Sequence, residues 1–475
     1  MLKIIHVSAE CFPIAKVGGL ADVVGALPKY QKGLGFDTEV MMPFYNNTFT
    51  SNHNLEIVFE SEVFLSENRF IYKVYELEES VIGFHLFIFK IDELMDREKV
   101  YGYPDDPERF FTFQLAVLDF ILKTERNPDV IHCHDHHTSF IPFFTSYCYQ
   151  YEILKNIPTV LTIHNAQYQG EFEYDKFHYF PEFNHEHSGI IDWYGKINPL
   201  ATAIKCAWKV TTVSPSYLVE LQKKANGLEG LLSHETNKCL GILNGIDKQV
   251  WDMTTDSMLV SNYNLKTVAK GRKGNKEWIC KEFDLDVNKP LVAFIGRFVY
   301  EKGSNLLPDV IKNVFDNLQQ EVSLLVLGSG DPNTTQELEE LKERYKNRYN
   351  CYIGYNEKLS HIIYGGADFL LMPSRIEPCG LNQMYAMRYG MIPIVSKTGG
   401  LKDTVIDLDE GESGFGIICN EVSVHEISFS IQRAVHVYEN PSFFKEKRLQ
   451  IMKIENGWGK SAKEYTNMYK SLITT

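Results

Sequence analysis

Apolar residues in the first half of the chain fall into short β-rich runs separated by helical stretches: "KIIHVSAE", "TEVMMPFY", "DVIHCHD", "PTVLTIHN", "KVTTVSP" and "LGILNGI". Runs this short, with little polar alternation, fit strands buried on both faces, as in a parallel sheet covered by helices. Between the second and third lies "LEIVFESEVFLSENRFIYKVYELEESVIGFHLFIFK", longer and more alternating, which predicts an antiparallel excursion. After about residue 285 the pattern restarts with "PLVAFIGRF", "VSLLVLGSG", "CYIGY", "ADFLLMPS" and "IPIVSKTGG". Between the first two of these, Leu306, Leu307, Val310, Ile311, Val314, Phe315 and Leu318 recur at helical spacing, so a strand–helix–strand crossover is expected. The intervening "DMTTDSMLVSNYNLKTVAKGRKGNKEWICKEF" has no strand run and is polar and basic, which marks it as the connection between domains. The expected class is α/β, with two doubly wound domains facing each other across a cleft and ligands at the carboxyl ends of the strands. The boundaries read as 1–252, 253–456 and a terminal helix 457–475 anchored by Trp458, Tyr465 and Tyr469.

Composition narrows the partners. A chain of 475 residues exceeds the usual domain size of about 100–200, and 44% hydrophobic with 23% charged residues is a globular composition. With 48 basic against 62 acidic residues the net charge is −14, which excludes diffuse attraction to nucleic acid or an anionic membrane. An anionic ligand must therefore be held by local cations. Nine scattered cysteines without a C-x-x-C pair argue for a reducing compartment and against a disulfide framework or zinc ribbon. The apolar run at the amino terminus is too short for a signal peptide, and no stretch approaches the ~18 apolar residues of a membrane span, so a cytoplasmic protein is expected.

Strand ends carry the candidate chemistry. "KVGGLADVV" at 16–24 follows the first strand and opens a helix, so Lys16, Gly18 and Gly19 could present a charge and bare backbone to an anion. "GGLKDTV" at 399–405 repeats the turn in the second domain. Arg297 and Lys302 follow the strand "VAFIGRF", with Glu301 as the only acid nearby in sequence, and suit a diphosphate. In "PSRIEPCGL", Glu377 is aimed at the cleft just before Cys379, Gly380 and Leu381 open a helix. "HCHDHH" at 132–137 allows a metal reading on His132, His134 and Asp135, but polar side chains also line a ligand cleft at a strand end without a metal. His164 and Asn165 reach the same rim from the next strand. A dinucleotide fingerprint fails, because "GSGDPN" at 328–333 has Asn333 where the third glycine belongs.

Taken in order, "KVGGLADVVGALPK", "HCHD", "TIHN", "VSPSY", "GLEGLL", "LNGID", "GRFVYEKG", "SRIEPCGLNQMYAM" and "TGGLKDTV" resemble the bacterial glycogen synthase and plant starch synthase family over nearly the whole chain. The resemblance implies a retaining glucosyltransferase of the two-Rossmann, glycosyltransferase-B architecture, whose last helix crosses back onto the first domain. It implies ADP-glucose as donor, the nonreducing 4-hydroxyl of glycogen or another α-1,4-glucan as acceptor, and no metal or other cofactor. Carried over by motif, Glu377 contacts the transferred glucose beside Cys379, Gly380 and Leu381, and Arg297 and Lys302 neutralise the departing diphosphate. Lys16, Gly18 and Gly19 approach the donor from the first domain. His164 lines the sugar site, Asp135 and Asn244 hold sugar or acceptor hydroxyls, Tyr355 stacks on the base, and Thr398, Gly399 and Gly400 lie near the phosphates. Many relatives carry Trp where this chain has His136, so acceptor contacts are expected from His136, Tyr101 and Tyr103. The competing readings are a UDP-glucose or other-acceptor transferase, a metal-dependent hydrolase on the histidine segment, and a noncatalytic glucan-binding protein.

Overall fold

The structure is a computed structural model that describes residues 1–53 and 55–473. Its backbone contacts divide it into two compact units, Met1–Gly245 with the residues from Trp458 onward, and Ile246–Gly457. The first unit thus ends before residue 252. No helix among the described residues is long and apolar enough to cross a membrane.

In the first unit the predicted strands appear as β1 (Lys3–Val7), β2 (Asp37–Pro43), β3 (Glu56–Leu65), β4 (Asn68–Leu77), β5 (His85–Ile91), β6 (Val130–His134) and β7 (Thr159–Ile163). A short hairpin, β8 (Asp192–Trp193) and β9 (Lys196–Ile197), precedes β10 (Lys209–Thr212) and β11 (Cys239–Gly241). One nine-stranded sheet has the order β11-β10-β7-β6-β1-β2-β5-β4-β3. Its core strands are parallel, and the expected antiparallel excursion is β3 and β4, with β4 antiparallel to β5. The register sets His6 beside His132 and His134 beside Thr162, so polar side chains from three neighbouring strands meet inside the sheet. The helix Gly459–Ile473 belongs to this unit: Trp458, Tyr465 and Tyr469 are buried with Ile4, Leu27, Val130 and Val160.

The second unit holds β12 (Leu291–Phe298), β13 (Ser323–Gly330), β14 (Tyr349–Ile353), β15 (Phe369–Met372), β16 (Ile392–Ser396) and β17 (Ile417–Cys419) in the order β14-β13-β12-β15-β16-β17, all parallel. The crossover after β12 buries Leu307, Val310, Ile311, Val314 and Phe315, its last turn widening to a π turn at Asn313–Asn317.

The basic segment expected to link the domains is instead part of this unit. Residues Val268–Glu282 form a helix that buries Arg272, Asn275 and Lys276. The Arg272 guanidinium, 2% exposed, donates to the carbonyls of Tyr364, Ala367 and Tyr389. Lys276 pairs with Asp368 at 2.7 Å, and Asp368 also accepts from Arg448 at 2.9 Å and from the Leu291 amide at 3.0 Å. Buried charges survive only when paired and hydrogen-bonded, and these cations share the helix's buried face with Val268, Ile279 and Cys280.

Candidate functional site

Four strand ends of the first unit converge on a set of buried polar groups. Asp135 follows β6 with φ 54° and ψ −176°, a region almost reserved for glycine, where strain of about 1–3 kcal/mol is usual at functional sites. Its carboxylate accepts from the amide of His164 at 2.7 Å and more weakly from that of Asn165, pinning the end of β7. Burial pushes the Asp135 carboxyl up to about 7, against those two amides. Asn244, after β11, is buried, and its Oδ1 has no hydrogen-bond partner among the described residues.

Glu10, at the end of β1, is a residue that sequence reasoning missed. Its carboxylate accepts from the amides of Val17 at 2.5 Å and Gly18 at 3.0 Å and from the Tyr101 hydroxyl at 2.6 Å. Burial is the larger effect and raises the Glu10 carboxyl above the usual range despite these donors. The Gly18 amide is therefore committed inside the protein, which corrects the picture of a turn with open N–H groups. A Cβ on Gly18 would meet nothing within 4 Å, so the missing side chain leaves open space at the amino terminus of the helix Gly19–Lys32. Lys16 is ion-paired with Asp22 at 2.7 Å.

His6, His132, His134 and His164 form a buried row, and three of them bring ring nitrogens within 4.8 Å of one another. Each ring nitrogen of His6, His132 and His134 already has a hydrogen-bond partner, in Gln31, Tyr469, Thr162 or another histidine. A metal ion there would have to break that chain. Burial lowers the imidazoles of His6 and His136 to about 4 and of His164 to about 3.

The expected acceptor contacts are placed differently from one another. His136 is half-buried, its ring 3.7 Å from that of His137 and against Gly170. Tyr101 stacks on His137 at 4.5 Å. Tyr103 lies between the guanidinium groups of Arg97 and Arg109, 4.8 Å from each, and is held as packing.

In the second unit the Lys302 ammonium lies 2.7 and 2.6 Å from the two carboxylate oxygens of Glu377, and Ser374 donates to Glu377 Oε2 at 2.8 Å. The acid facing Lys302 is thus Glu377, 75 residues away in sequence, which corrects the expectation of a cation near Glu301 alone. Arg297 is exposed and has no ion-pair partner among the described residues. Tyr355, after β14, is 77% exposed.

The second glycine pair does other work than the first. A Cβ on Gly399, at φ +42°, would lie 2.0 Å from the Glu377 carbonyl, and one on Gly400 would lie 2.1 Å from the Cys379 carbonyl. The Gly400 amide donates to the Glu377 carbonyl at 3.1 Å. This pair lets the helix Gly399–Thr404 press against the backbone that carries Glu377, Cys379, Gly380 and Leu381, with Thr398 as its N-cap.

Comparison with known proteins agrees over the full length. The family model described as starch synthase catalytic domain matches residues 3–234, and the one described as glycosyl transferases group 1 matches residues 275–449. The chain is 48% identical to glycogen synthase of Flavobacterium johnsoniae across 99% of both chains, and 36% identical to glycogen synthase of Anoxybacillus flavithermus across 99% and 98%. Its structure is similar to the catalytic domain of starch synthase IV from Arabidopsis thaliana bound to ADP and acarbose, with TM-score 0.91, 30% identity and complete coverage of both chains. Sucrose-phosphate synthase from Thermosynechococcus elongatus, 16% identical with TM-score 0.61 over both whole chains, shares the fold.

Proposed function

This chain belongs to the glycogen synthase and starch synthase family, and on that premise we propose how its residues carry the reaction. The enzyme is a glycosyltransferase of glycogen synthesis, with the two-Rossmann architecture of the glycosyltransferase-B fold, acting on a nucleotide-sugar donor and a glucan acceptor. In our reading the donor is ADP-glucose, the acceptor is the nonreducing 4-hydroxyl of an α-1,4-glucan, and the anomeric configuration is retained. The solved relative that holds ADP and acarbose together supports an adenine nucleotide beside an oligosaccharide.

The observation that carries the reading is the Lys302–Glu377–Ser374 constellation at the strand ends of the second unit. Breaking the bond between the anomeric carbon and the diphosphate oxygen puts negative charge on the leaving group and positive charge on the sugar. Arg297 and Lys302 answer the first, and the Glu377 carboxylate, paired with Lys302, answers the second. Both Glu377 oxygens are occupied by donors, which favours electrostatic stabilisation over nucleophilic attack by that residue. The acceptor oxygen then bonds to the anomeric carbon from the side the diphosphate leaves, and its proton passes to the departing oxygen. Local cations do this without a divalent ion, so no metal or other cofactor is assigned.

Tyr355 stacks on the base, and Thr398, Gly399, Gly400, Cys379, Gly380 and Leu381 shape the phosphate and sugar contacts. Lys16, Gly18 and Gly19 meet the donor from the first unit, where His164, Asp135 and Asn244 hold sugar hydroxyls and Tyr101 and His136 border the glucan.

The test is glucose incorporation into glycogen from ADP-glucose or UDP-glucose, each with excess EDTA. Incorporation from ADP-glucose, unaffected by the chelator, is expected. Turnover with UDP-glucose alone would overturn the donor, and loss of activity restored by a divalent cation would overturn the metal-free mechanism.

A further inference from the structure

The proposed chemistry uses one histidine of the buried row and leaves three without a role. His6 Nε2 lies 2.8 Å from Gln31 Oε1, His6 Nδ1 lies 3.0 Å from His134 Nε2, and His134 Nδ1 lies 3.0 Å from His164 Nε2. A second branch leaves the same glutamine: Gln31 Nε2 donates to the Tyr469 hydroxyl at 3.2 Å, and that hydroxyl is 2.7 Å from His132 Nδ1. His132 Nε2 lies 2.6 Å from Thr162 Oγ1, which lies 2.6 Å from Thr211 Oγ1, and Thr211 reaches the Leu161 carbonyl at 3.4 Å. Gln31, His6, His132, His134, Thr162, Thr211 and Tyr469 are fully buried.

A neutral imidazole has one N–H and one lone pair, so two ring nitrogens in contact must be one donor and one acceptor. One link then determines all the others. The Gln31 carbonyl can only accept, so His6 donates from Nε2 and accepts at Nδ1; His134 donates from Nε2 and accepts at Nδ1; His164 donates from Nε2. On the other branch the amide N–H, the Tyr469 hydroxyl, His132 Nε2–H, Thr162 and Thr211 donate in turn and the run ends on a carbonyl. Every ring nitrogen and hydroxyl in both branches has a partner among the described residues except His164 Nδ1. Burial lowers all four imidazoles, which keeps them neutral, and an added proton would remove a lone pair that the chain requires.

We infer that Gln31, His6 and His134 are positioning residues that hold His164 as its Nε2–H tautomer, so that Nδ1 meets the sugar as a hydrogen-bond acceptor, and that the run from the Gln31 amide through Tyr469 of the terminal helix to the Leu161 carbonyl, which can only accept, sets the direction. Nδ1 makes no hydrogen bond among the described residues, and the backbone of His164 is fixed separately by Asp135. Turning the Gln31 amide over and shifting every proton one place gives the opposite direction, with a proton on His164 Nδ1. The role at the sugar rests on the transferase reading; the tautomer does not.

The experiment is 15N NMR of the full chain with labelled histidine, the His164 signals assigned by their loss in His164→Asn, for wild type, Gln31→Glu, Gln31→Met and Tyr469→Phe. Wild type and Gln31→Glu, which keeps an acceptor towards His6, should show a pyridine-type Nδ1 and a protonated Nε2. Gln31→Met and Tyr469→Phe should show a mixed tautomer, with kcat about tenfold lower and the KM for donor little changed, an effect of the size seen when supporting hydrogen bonds are lost. A protonated Nδ1 in wild type overturns the inference without recourse to any variant. So does an unchanged tautomer in a folded Gln31→Met or Tyr469→Phe protein. Normal tautomers in an enzyme that fails to transfer glucose would count against the function and leave the relay standing.

Discussion

Both carboxylate oxygens of Glu377 are engaged by Lys302, and Ser374 adds a third contact, while the residue as a whole is 5% exposed. The partners are unequal, because the Lys302 side chain keeps 27% of its exposure and can rehydrate when Glu377 is neutralised. Removing the lysine instead strands a buried carboxylate, the case that costs about 3–5 kcal/mol when both partners are deeply buried and less here. Stability and activity should therefore rank the two substitutions in opposite order. Glu377→Gln should unfold within about 1 kcal/mol of wild type yet lose about 10²–10³ in kcat, the scale of a lost charge-stabilising group in an active site. Lys302→Met should be the less stable protein. Denaturant titration and saturating ADP-glucose kinetics on both variants provide the check, and a Glu377→Gln enzyme within a few-fold of normal turnover would remove that residue from the mechanism.

At the scale of elements, two turns with the same five-residue signature part company, and the difference can be measured. Gly18→Ala adds a methyl group into open space at an extended φ of −147°, so the unfolding free energy should hold to within about 0.5 kcal/mol while donor affinity falls. Gly400→Ala would drive a methyl group to 2.1 Å from the Cys379 carbonyl, so stability should drop by several times that amount. Equal stability losses in the two would show that the first turn is packed as tightly as the second. The apolar runs made most strands of both sheets legible, since a strand buried on both faces is mostly apolar even where it carries His132 and His134. The helix Val268–Glu282 was not legible, because Arg272, Asn275 and Lys276 interrupt its buried face between Val268 and Ile279, and the partners that let the two cations be buried, Tyr364 and Asp368, lie 92 residues away from each. The short β17 was missed for a related reason: three residues after "GFG" leave too little pattern. The strand-end rule found Asp135, His164, Arg297 and Glu377, yet Glu10 stands at a strand end too. Its meaning depends on Tyr101, 91 residues on, which no local motif signals.

For the molecule as a whole, the unusual quantity is the number of imidazoles folded in the neutral form. Burial lowers His6, His132, His134, His136, His137 and His164, all in the first unit. A histidine with a folded pKa below its unfolded value of about 6.5 takes up its proton only on unfolding, so its contribution is present above 6.5 and is lost as pH falls towards the folded value. Asp135 and Glu10 act in the opposite sense, because their raised pKa values let the folded state hold protons that the unfolded chain releases above about 4. The six imidazoles outnumber the two carboxyls, so below about pH 6.5 the native protein holds fewer protons than the unfolded chain. Stability should therefore fall as pH drops below about 6.5, so that acid unfolding begins above the carboxylate range. Carboxylates lowered in the folded state, Asp105, Asp368 and Asp407 among them, add to the loss only at lower pH, where the unfolded chain's carboxylates take up protons at about 4. Calorimetry from pH 8 to pH 5 should show the transition of the first unit moving steeply down below pH 6.5 while it shifts little between 7 and 8. The variant His137→Phe, which removes an imidazole wedged between Tyr101 and Phe110 with a buried Nδ1 that has no partner, should flatten that slope and gain more stability at pH 5.5 than at 7.5. A transition that stays level down to pH 5 would mean that these rings accept protons in the folded protein, and the neutral histidine row could not be the structural element described here.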